Sequence, residues 1–241
     1  MGQAVVDKRD KLPTKSTSAD VDAFLAKVAG LPTVKASGSR GRLIFAMDAT
    51  ASRKPSWDVA CDIQAEMFKE AAALGGIDIQ LCYYRGFDEF FASVWYGNSA
   101  ALLKQMSGVH CAGGVTQIKR VFEHALRESR LHKINALVFV GDCMEEDVDQ
   151  LCDLGGRLGI LGVPAFLFHE GVDPVAKRTF TELARLTKGA YCPFDASSAS
   201  QLSDLLAAVA VYAAGGRKAL AHFGKGKGGL VRQLTDQLAK T

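Results

Sequence analysis

Five oxygen-bearing side chains stand at spacings that could do cation chemistry. The run Arg42 to Ser52 reads Arg-Leu-Ile-Phe-Ala-Met-Asp-Ala-Thr-Ala-Ser, a short apolar stretch that ends abruptly in Asp48, Thr50 and Ser52. Leu43 to Met47 has the length and flanks of a strand buried on both faces. In an open parallel sheet the loop after such a strand lies at the carboxyl edge, where ligands bind. Oxygens at alternate positions suit a hard cation such as Mg2+, or Mn2+ in its place. Mg2+ prefers carboxylate, hydroxyl and water in an octahedron of about 2.0–2.1 Å radius. Asp, Thr and Ser after a strand also build turns and helix N-caps, so the motif alone decides nothing.

Two further stretches bring the same chemistry. In Ser107-Gly-Val-His-Cys-Ala-Gly-Gly-Val-Thr-Gln-Ile, Gly113 and Gly114 let backbone pass close to a neighbour, and Thr116 stands at the start of a helix as either an N-cap or a cation ligand. Ala136 to Val140 is a second fully apolar strand and delivers Asp142 to a polar loop followed by Glu145, Glu146 and Asp147. Crowding acids between 142 and 149 is unfavourable unless water or a cation relieves the repulsion, which makes Glu145 and Glu146 accessory candidates.

The elements that must position these groups follow from periodicity. Ser56 can cap a helix whose apolar positions Val59, Ile63, Met67, Ala71 and Leu74 form one stripe, closed by Gly75-Gly76. Ile77–Tyr84 and Glu89–Tyr96 are strands joined so tightly that they must form an antiparallel hairpin at a sheet edge. A short helix over Ser99–Met106, the helix after Thr116, and the strand at Ala136 precede a helix capped by Asp147. A strand over Val163–Phe168 then leads to a helix opened by Asp173-Pro174 and closed by Gly189, a short strand Ala190–Cys192, and a helix Gln201–Tyr212. Alternation of this kind predicts an α/β fold: a three-layer, doubly wound, Rossmann-like sheet of six mostly parallel strands with one antiparallel edge strand and helices on both faces.

Composition sets the remaining bounds. The 241 residues, 48% apolar, suffice for one α/β domain with extensions, and no apolar run reaches the roughly 18 residues of a spanning helix. The expected organisation is an arm with a short helix over 1–37, a domain over 38–214, and a Gly/Lys-rich tail over 215–241 with a small amphipathic helix at Leu230, Leu234 and Leu238. The net charge of +3 is uneven: the tail holds six basic residues against one acidic, whereas residues 38–214 hold 17 basic against 21 acidic. The glycine-lysine run at 224–229 lacks the phosphate-cradle pattern and no strand precedes it. The six cysteines form no Cys-x-x-Cys pair and read as reduced packing residues. The expected setting is cytoplasmic. His124, His132, His169 and His222 are assigned no function, and Trp57 and Trp95 read as packing, with Trp57 near enough to shield the first loop.

With these residues in view, the chain over roughly 42–214 resembles a von Willebrand factor type A (VWA) domain with a metal-ion-dependent adhesion site (MIDAS), of the intracellular bacterial type. The family's first-loop pattern Asp-x-Ser-x-Ser is met by Asp48-Ala-Thr50-Ala-Ser52, its threonine after glycines by Thr116, and its second aspartate by Asp142. Leu183 to Tyr191 resembles the helix and short strand late in that fold. Three departures stand out: Thr50 replaces the first serine, Val115 separates the glycines from Thr116, and Gly141-Asp142-Cys143 replaces the common Thr-Asp-Gly. None removes an oxygen ligand. The resemblance implies that Thr50, Ser52 and Thr116 bind Mg2+ directly while Asp48 and Asp142 act through bound water. One position is then left for an Asp or Glu of a partner protein.

The resulting expectation is a cation-dependent interaction module rather than an enzyme, working beside an AAA+ ATPase or a stress-response system. A metal-dependent phosphoester hydrolase is the alternative, with His110, Glu145 or Glu146 as base, although Thr50 takes the place of the second aspartate of the phosphatase pattern. RNA binding through the tail has less support, since Phe223 is the tail's one aromatic residue.

Overall fold

The computed structural model describes residue 23 and residues 40–72, 74, 76–194 and 199–226. Apart from Ala23, which is helical, the expected arm helix lies outside the described residues, as does the amphipathic helix around Leu234. Six strands, β1 (Gly41–Asp48), β2 (Ile77–Arg85), β3 (Glu89–Tyr96), β4 (Ala136–Gly141), β5 (Ala165–Glu170) and β6 (Ala190–Phe194), form one sheet in the order β3-β2-β1-β4-β5-β6. Every neighbouring pair is parallel except β2 with β3, the hairpin expected from its short connection. The helices are α1 (Lys54–Ala72), α2 (Ser99–Ser107), α3 (Ile118–Leu131), α4 (Val148–Ile160), α5 (Pro174–Leu186) and α6 (Ala199–Gly226).

Strand β1 is central because both its faces are apolar. Leu43, Phe45 and Met47 point into a core roofed by α1, α2 and α6, whereas Ile44 and Ala46 point into a second core beneath α3, α4 and α5. This alternation is the period-two geometry of a strand applied to a run apolar at every position. Because β1, β2, β4 and β5 are parallel, their carboxyl ends share one edge, and Asp48 lies in register with Tyr84 at the end of β2.

Several local expectations change. Helix α1 starts at Lys54, after a 3-10 turn over Ala51–Arg53, so Ser56 lies inside the helix, buried, and is not its cap. Trp57 does not shield the loop: it is buried in the core and its indole N–H donates to the Met106 carbonyl at 3.0 Å. Helix α6 runs on to Gly226 across a kink at Gly216 (φ 69°, ψ −165°), two residues past the boundary expected at 214, and Leu220 beyond the kink is buried in the first core.

Asp147 and Asp173 cap α4 and α5 as expected, accepting from Gln150 N at 2.9 Å and Ala176 N at 2.5 Å. The end of α5 differs. The left-handed residue is Lys188 (φ 56°), not Gly189. Gly189 is needed for a different reason, since a Cβ there would overlap the Ala165 backbone carbonyl at the start of β5. Lys188→Gly therefore should stabilise the protein by about 1 kcal/mol by removing left-handed strain, and Gly189→Ala should destabilise it by ~1–3 kcal/mol through overpacking. Urea denaturation of the two variants checks the assignment, and the opposite signs would refute it.

Candidate metal centre

Asp48 reaches the carboxyl edge fully buried. Its Oδ1 accepts from the Thr50 N–H at 2.7 Å and its Oδ2 from the Tyr84 hydroxyl at 3.1 Å. Burial is the largest influence and raises the carboxyl pKa. The Thr50 and Tyr84 hydrogen bonds oppose that rise, and the Asp142 charge adds to it. The ionised form therefore costs the fold stability above the folded pKa, and that cost shrinks as pH falls below the folded pKa and is gone only below the ordinary carboxyl value of the unfolded chain. A cation beside the carboxylate acts in the opposite sense and favours the charged form.

The loop after β1 turns tightly, closed by a 3.0 Å bond from the Arg53 N–H to the Thr50 carbonyl. The turn sets Thr50 Oγ1 3.4 Å from Ser52 Oγ, which in turn donates to Asp142 Oδ2 at 2.7 Å. Neighbouring oxygens on a Mg2+ octahedron stand about 2.9 Å apart, the separation set by its ~2.1 Å bonds. The Ser52–Asp142 separation of 2.7 Å is close to such an edge, and the Thr50–Ser52 separation of 3.4 Å is about half an ångström longer. The second oxygen of the same carboxylate, Asp142 Oδ1, is buried and has no hydrogen-bond partner among the described residues. A buried acceptor without a donor is uncommon in folded proteins and points to a water or an ion as its partner. The donor set fits a hard cation. No group of three or more His, Cys, Asp or Glu side chains able to hold an ion occurs among the described residues, as expected for a set of only two carboxylates completed by hydroxyls.

Thr116, Glu145 and Glu146 form a second knot on the same edge. Thr116 is buried; its N–H donates to Glu145 Oε2 at 3.2 Å and its hydroxyl accepts from the Glu145 N–H at 3.1 Å. Its hydrogen bonds thus run to the β4–α4 loop and not to Asp48, Ser52 or Asp142. The N-cap of α3 is Gln117, whose side chain makes no capping bond. Glu146 caps the helix from another loop, taking the N–H groups of Ile118 at 2.5 Å and Lys119 at 2.9 Å. Gly114 explains part of the glycine pair: its N-terminal neighbour Gly113 faces open space, but a Cβ on Gly114 would strike the Gly86 backbone at the β2–β3 turn.

Four residues here carry contacts that the sequence reading left out. Arg53, almost fully buried, pairs with Glu170 at the end of β5, and the Ser56 hydroxyl donates to the same carboxylate oxygen. His169, given no function from sequence, hydrogen-bonds through Nε2 to the Asp142 carbonyl at 3.1 Å and through Nδ1 to the Tyr191 hydroxyl at 3.0 Å. The one signal in the sequence was position: His169 and Glu170 are polar residues ending an apolar strand, as Asp48 is.

No protein-family model matches the sequence, and no curated protein matches it. Solved structures do. A von Willebrand factor type A protein from Catenulispora acidiphila superposes with a TM-score of 0.59 at 14% identity, over 72% of this chain and 43% of that one. The SpRpn10 VWA domain superposes with a TM-score of 0.54 at 16% identity, over 70% of this chain and 94% of that one. The fold is VWA-like. A pilus adhesin, SpaC from Lactobacillus rhamnosus GG, gives 0.56 at 8% identity, over 80% of this chain and 31% of that one. This chain thus spans less than half the length of the C. acidiphila protein, and at such identities the likeness speaks to fold alone.

Within the VWA-like fold, the Glu146 cap makes a direct prediction. Glu146→Ala should cost about 1–2 kcal/mol of stability and speed hydrogen exchange at the Ile118 and Lys119 amides. Unchanged exchange there would show that the cap contributes nothing.

Proposed function

We propose that this chain is a divalent-cation-dependent protein-interaction module. In this reading Asp48, Thr50, Ser52 and Asp142, with Thr116 completing the set, hold Mg2+ or Mn2+ at the carboxyl edge of the sheet. The observation that carries the reading is Asp142 Oδ1, a buried carboxylate oxygen with no N–H or O–H donor among the described residues, beside the Ser52 hydroxyl and across from the buried Asp48. The bound ion supplies an electrophilic position that a partner's Asp or Glu can fill. The protein's own part is orientation. The Asp48 carboxylate is locked by the Thr50 amide and the Tyr84 hydroxyl, and the tight turn fixes the spacing of Thr50 and Ser52.

The rim suits recognition of a macromolecule. Phe87, on the turn after β2, and Val172, two residues past the end of β5, are 80% and 65% exposed at this edge. Exposed apolar side chains beside a polar centre are the kind of contact a protein partner can cover. A protein partner is therefore the preferred ligand class, and an adhesin among the structural neighbours agrees with that choice. No described helix is long and apolar enough to cross a membrane. The resemblance to intracellular bacterial VWA proteins supports a cytoplasmic setting and assembly work beside an AAA+ ATPase or a stress-response system.

The hydrolase alternative asks for a poised general base. Glu146 is engaged in capping α3, Glu145 receives the Thr116 N–H, and exposed His110 turns its Nδ1 to the Gly108 carbonyl at 3.2 Å. None of these contacts aims a base at the Asp48–Ser52–Asp142 group.

Titration calorimetry of chelator-stripped protein tests the reading. Wild type should bind a single Mg2+ or Mn2+ per chain, and Asp48→Ala should lose that binding while its circular dichroism melt stays cooperative. Absence of binding by the wild type, or equal binding by the folded variant, would overturn the assignment.

A further inference from the structure

The last two residues of β5 face opposite sides of the sheet and touch both halves of the candidate metal centre. His169 lies on the side of α5, edge-on to Phe180 with ring centroids 5.5 Å apart, and is 1% exposed. It meets the Asp142 carbonyl at 3.1 Å through Nε2, while Nδ1 stands 3.0 Å from the Tyr191 hydroxyl. If the hydroxyl donates to Nδ1, the imidazole is the tautomer whose Nε2–H donates to the carbonyl, which is the one arrangement that satisfies both contacts with a neutral ring. Glu170 lies on the other side. There its Oε2 accepts from the buried Arg53 guanidinium and from the Ser56 hydroxyl.

The sheet order gives these contacts their meaning. Strand β4, which ends beside Asp142, lies between β1 and β5. The Arg53–Glu170 pair therefore joins the loop after β1 to the end of β5 across the place where Asp142 emerges, and His169 holds the Asp142 backbone from the opposite face. Arg53 is the residue after Ser52, and its N–H closes the turn onto the Thr50 carbonyl at 3.0 Å. Fixing its side chain fixes the turn that carries two of the hydroxyls. The guanidinium is 1% exposed, yet Nε and Nη2 have no hydrogen-bond partner among the described residues. A buried guanidinium with idle donors is poor design for stability alone, and such local exceptions concentrate where a site is being held in shape.

We propose that His169 and Glu170 are positioning residues: a two-sided clamp at the end of β5 that sets the distance between the Thr50–Ser52 turn and Asp142, and thereby tunes cation affinity. The proposal rests on the metal reading above. Neither residue is a ligand. His169 holds the backbone of Asp142, and Glu170 acts one step removed, through Arg53 next to Ser52, in the way that outer partners of metal ligands generally orient them.

The test is Mg2+ calorimetry, with Mn2+ electron paramagnetic resonance on the same samples, for wild type, Glu170→Gln, Arg53→Lys and His169→Phe. Glu170→Gln keeps an acceptor for Ser56 but removes the charge that holds Arg53, and Arg53→Lys keeps the charge but loses the planar guanidinium whose Nη1 meets Glu170; His169→Phe keeps the ring against Phe180 but loses the bond to the Asp142 carbonyl. Each variant should raise the dissociation constant by roughly 10–100-fold, the range found for outer-shell partners, and broaden the Mn2+ spectrum, at a temperature well below its melting point. A merely structural contact would lower the melting point and leave the dissociation constant and the Mn2+ spectrum as in wild type, and that result overturns the clamp. If Glu170→Gln does not fold, Arg53→Lys and Ser56→Ala carry the same comparison, Ser56→Ala falling between wild type and Arg53→Lys. A wild type that binds neither ion overturns the metal reading and the clamp with it, whereas binding by wild type with unchanged variants overturns the clamp alone.

Discussion

The arrangement depends on one unfavourable placement, a carboxylate at zero exposure at the end of the central strand. Asp48 is carried there because β1 is apolar on both faces and is covered on both, so the first polar residue after Met47 has no route to bulk water. Two donors, the Thr50 amide and the Tyr84 hydroxyl, compensate part of that loss, and the nearby Asp142 charge works against them. Ser52 supplies a hydrogen bond to the Asp142 carboxylate, and Arg53, His169 and Glu170 fix the loops that bear these oxygens.

The loop after β4 serves two ends at once. Asp142 faces the turn after β1, while Glu145 and Glu146, a few residues on, secure Thr116 and the start of α3. A helix whose N-cap residue offers no side-chain acceptor would leave its first amides unsatisfied, and a carboxylate at a helix N-terminus also meets the positive end of the helix dipole. Part of the acidic cluster is thus accounted for by a helix terminus and part by the oxygen group around Ser52. The cluster is two sites with two physical reasons.

The structural neighbours place the same architecture on chains that share 8–16% of their residues with this one. That tolerance follows from what the fold asks for. Parallel strands covered on both faces need apolar residues of suitable volume and little else, so sequence drifts while the strand order and the shared carboxyl edge persist. The edge is where function is written, and at such identities it has to be read from the individual side chains.

Local chemistry made much of this legible in the sequence. Apolar runs bounded by polar loops gave the strands, the short turn at Arg85–Asp88 required the antiparallel hairpin, and Asp147 and Asp173-Pro174 marked helix starts, because each of these depends on residues within a few positions of one another. The oxygen-bearing residues at 48, 50, 52, 116 and 142 could likewise be named, since each ends a strand or precedes a helix. What the sequence could not decide were the pairings across the chain. Ser56 serves Glu170, not its own helix terminus; Lys188 takes the left-handed position that Gly189 was expected to fill; Glu146 caps a helix that begins near residue 118; and His169 and Glu170 reach the two loops on either side of β4. These contacts join residues up to 117 positions apart. They exist only once the sheet order has brought the strand ends together, so tertiary structure alone selects them.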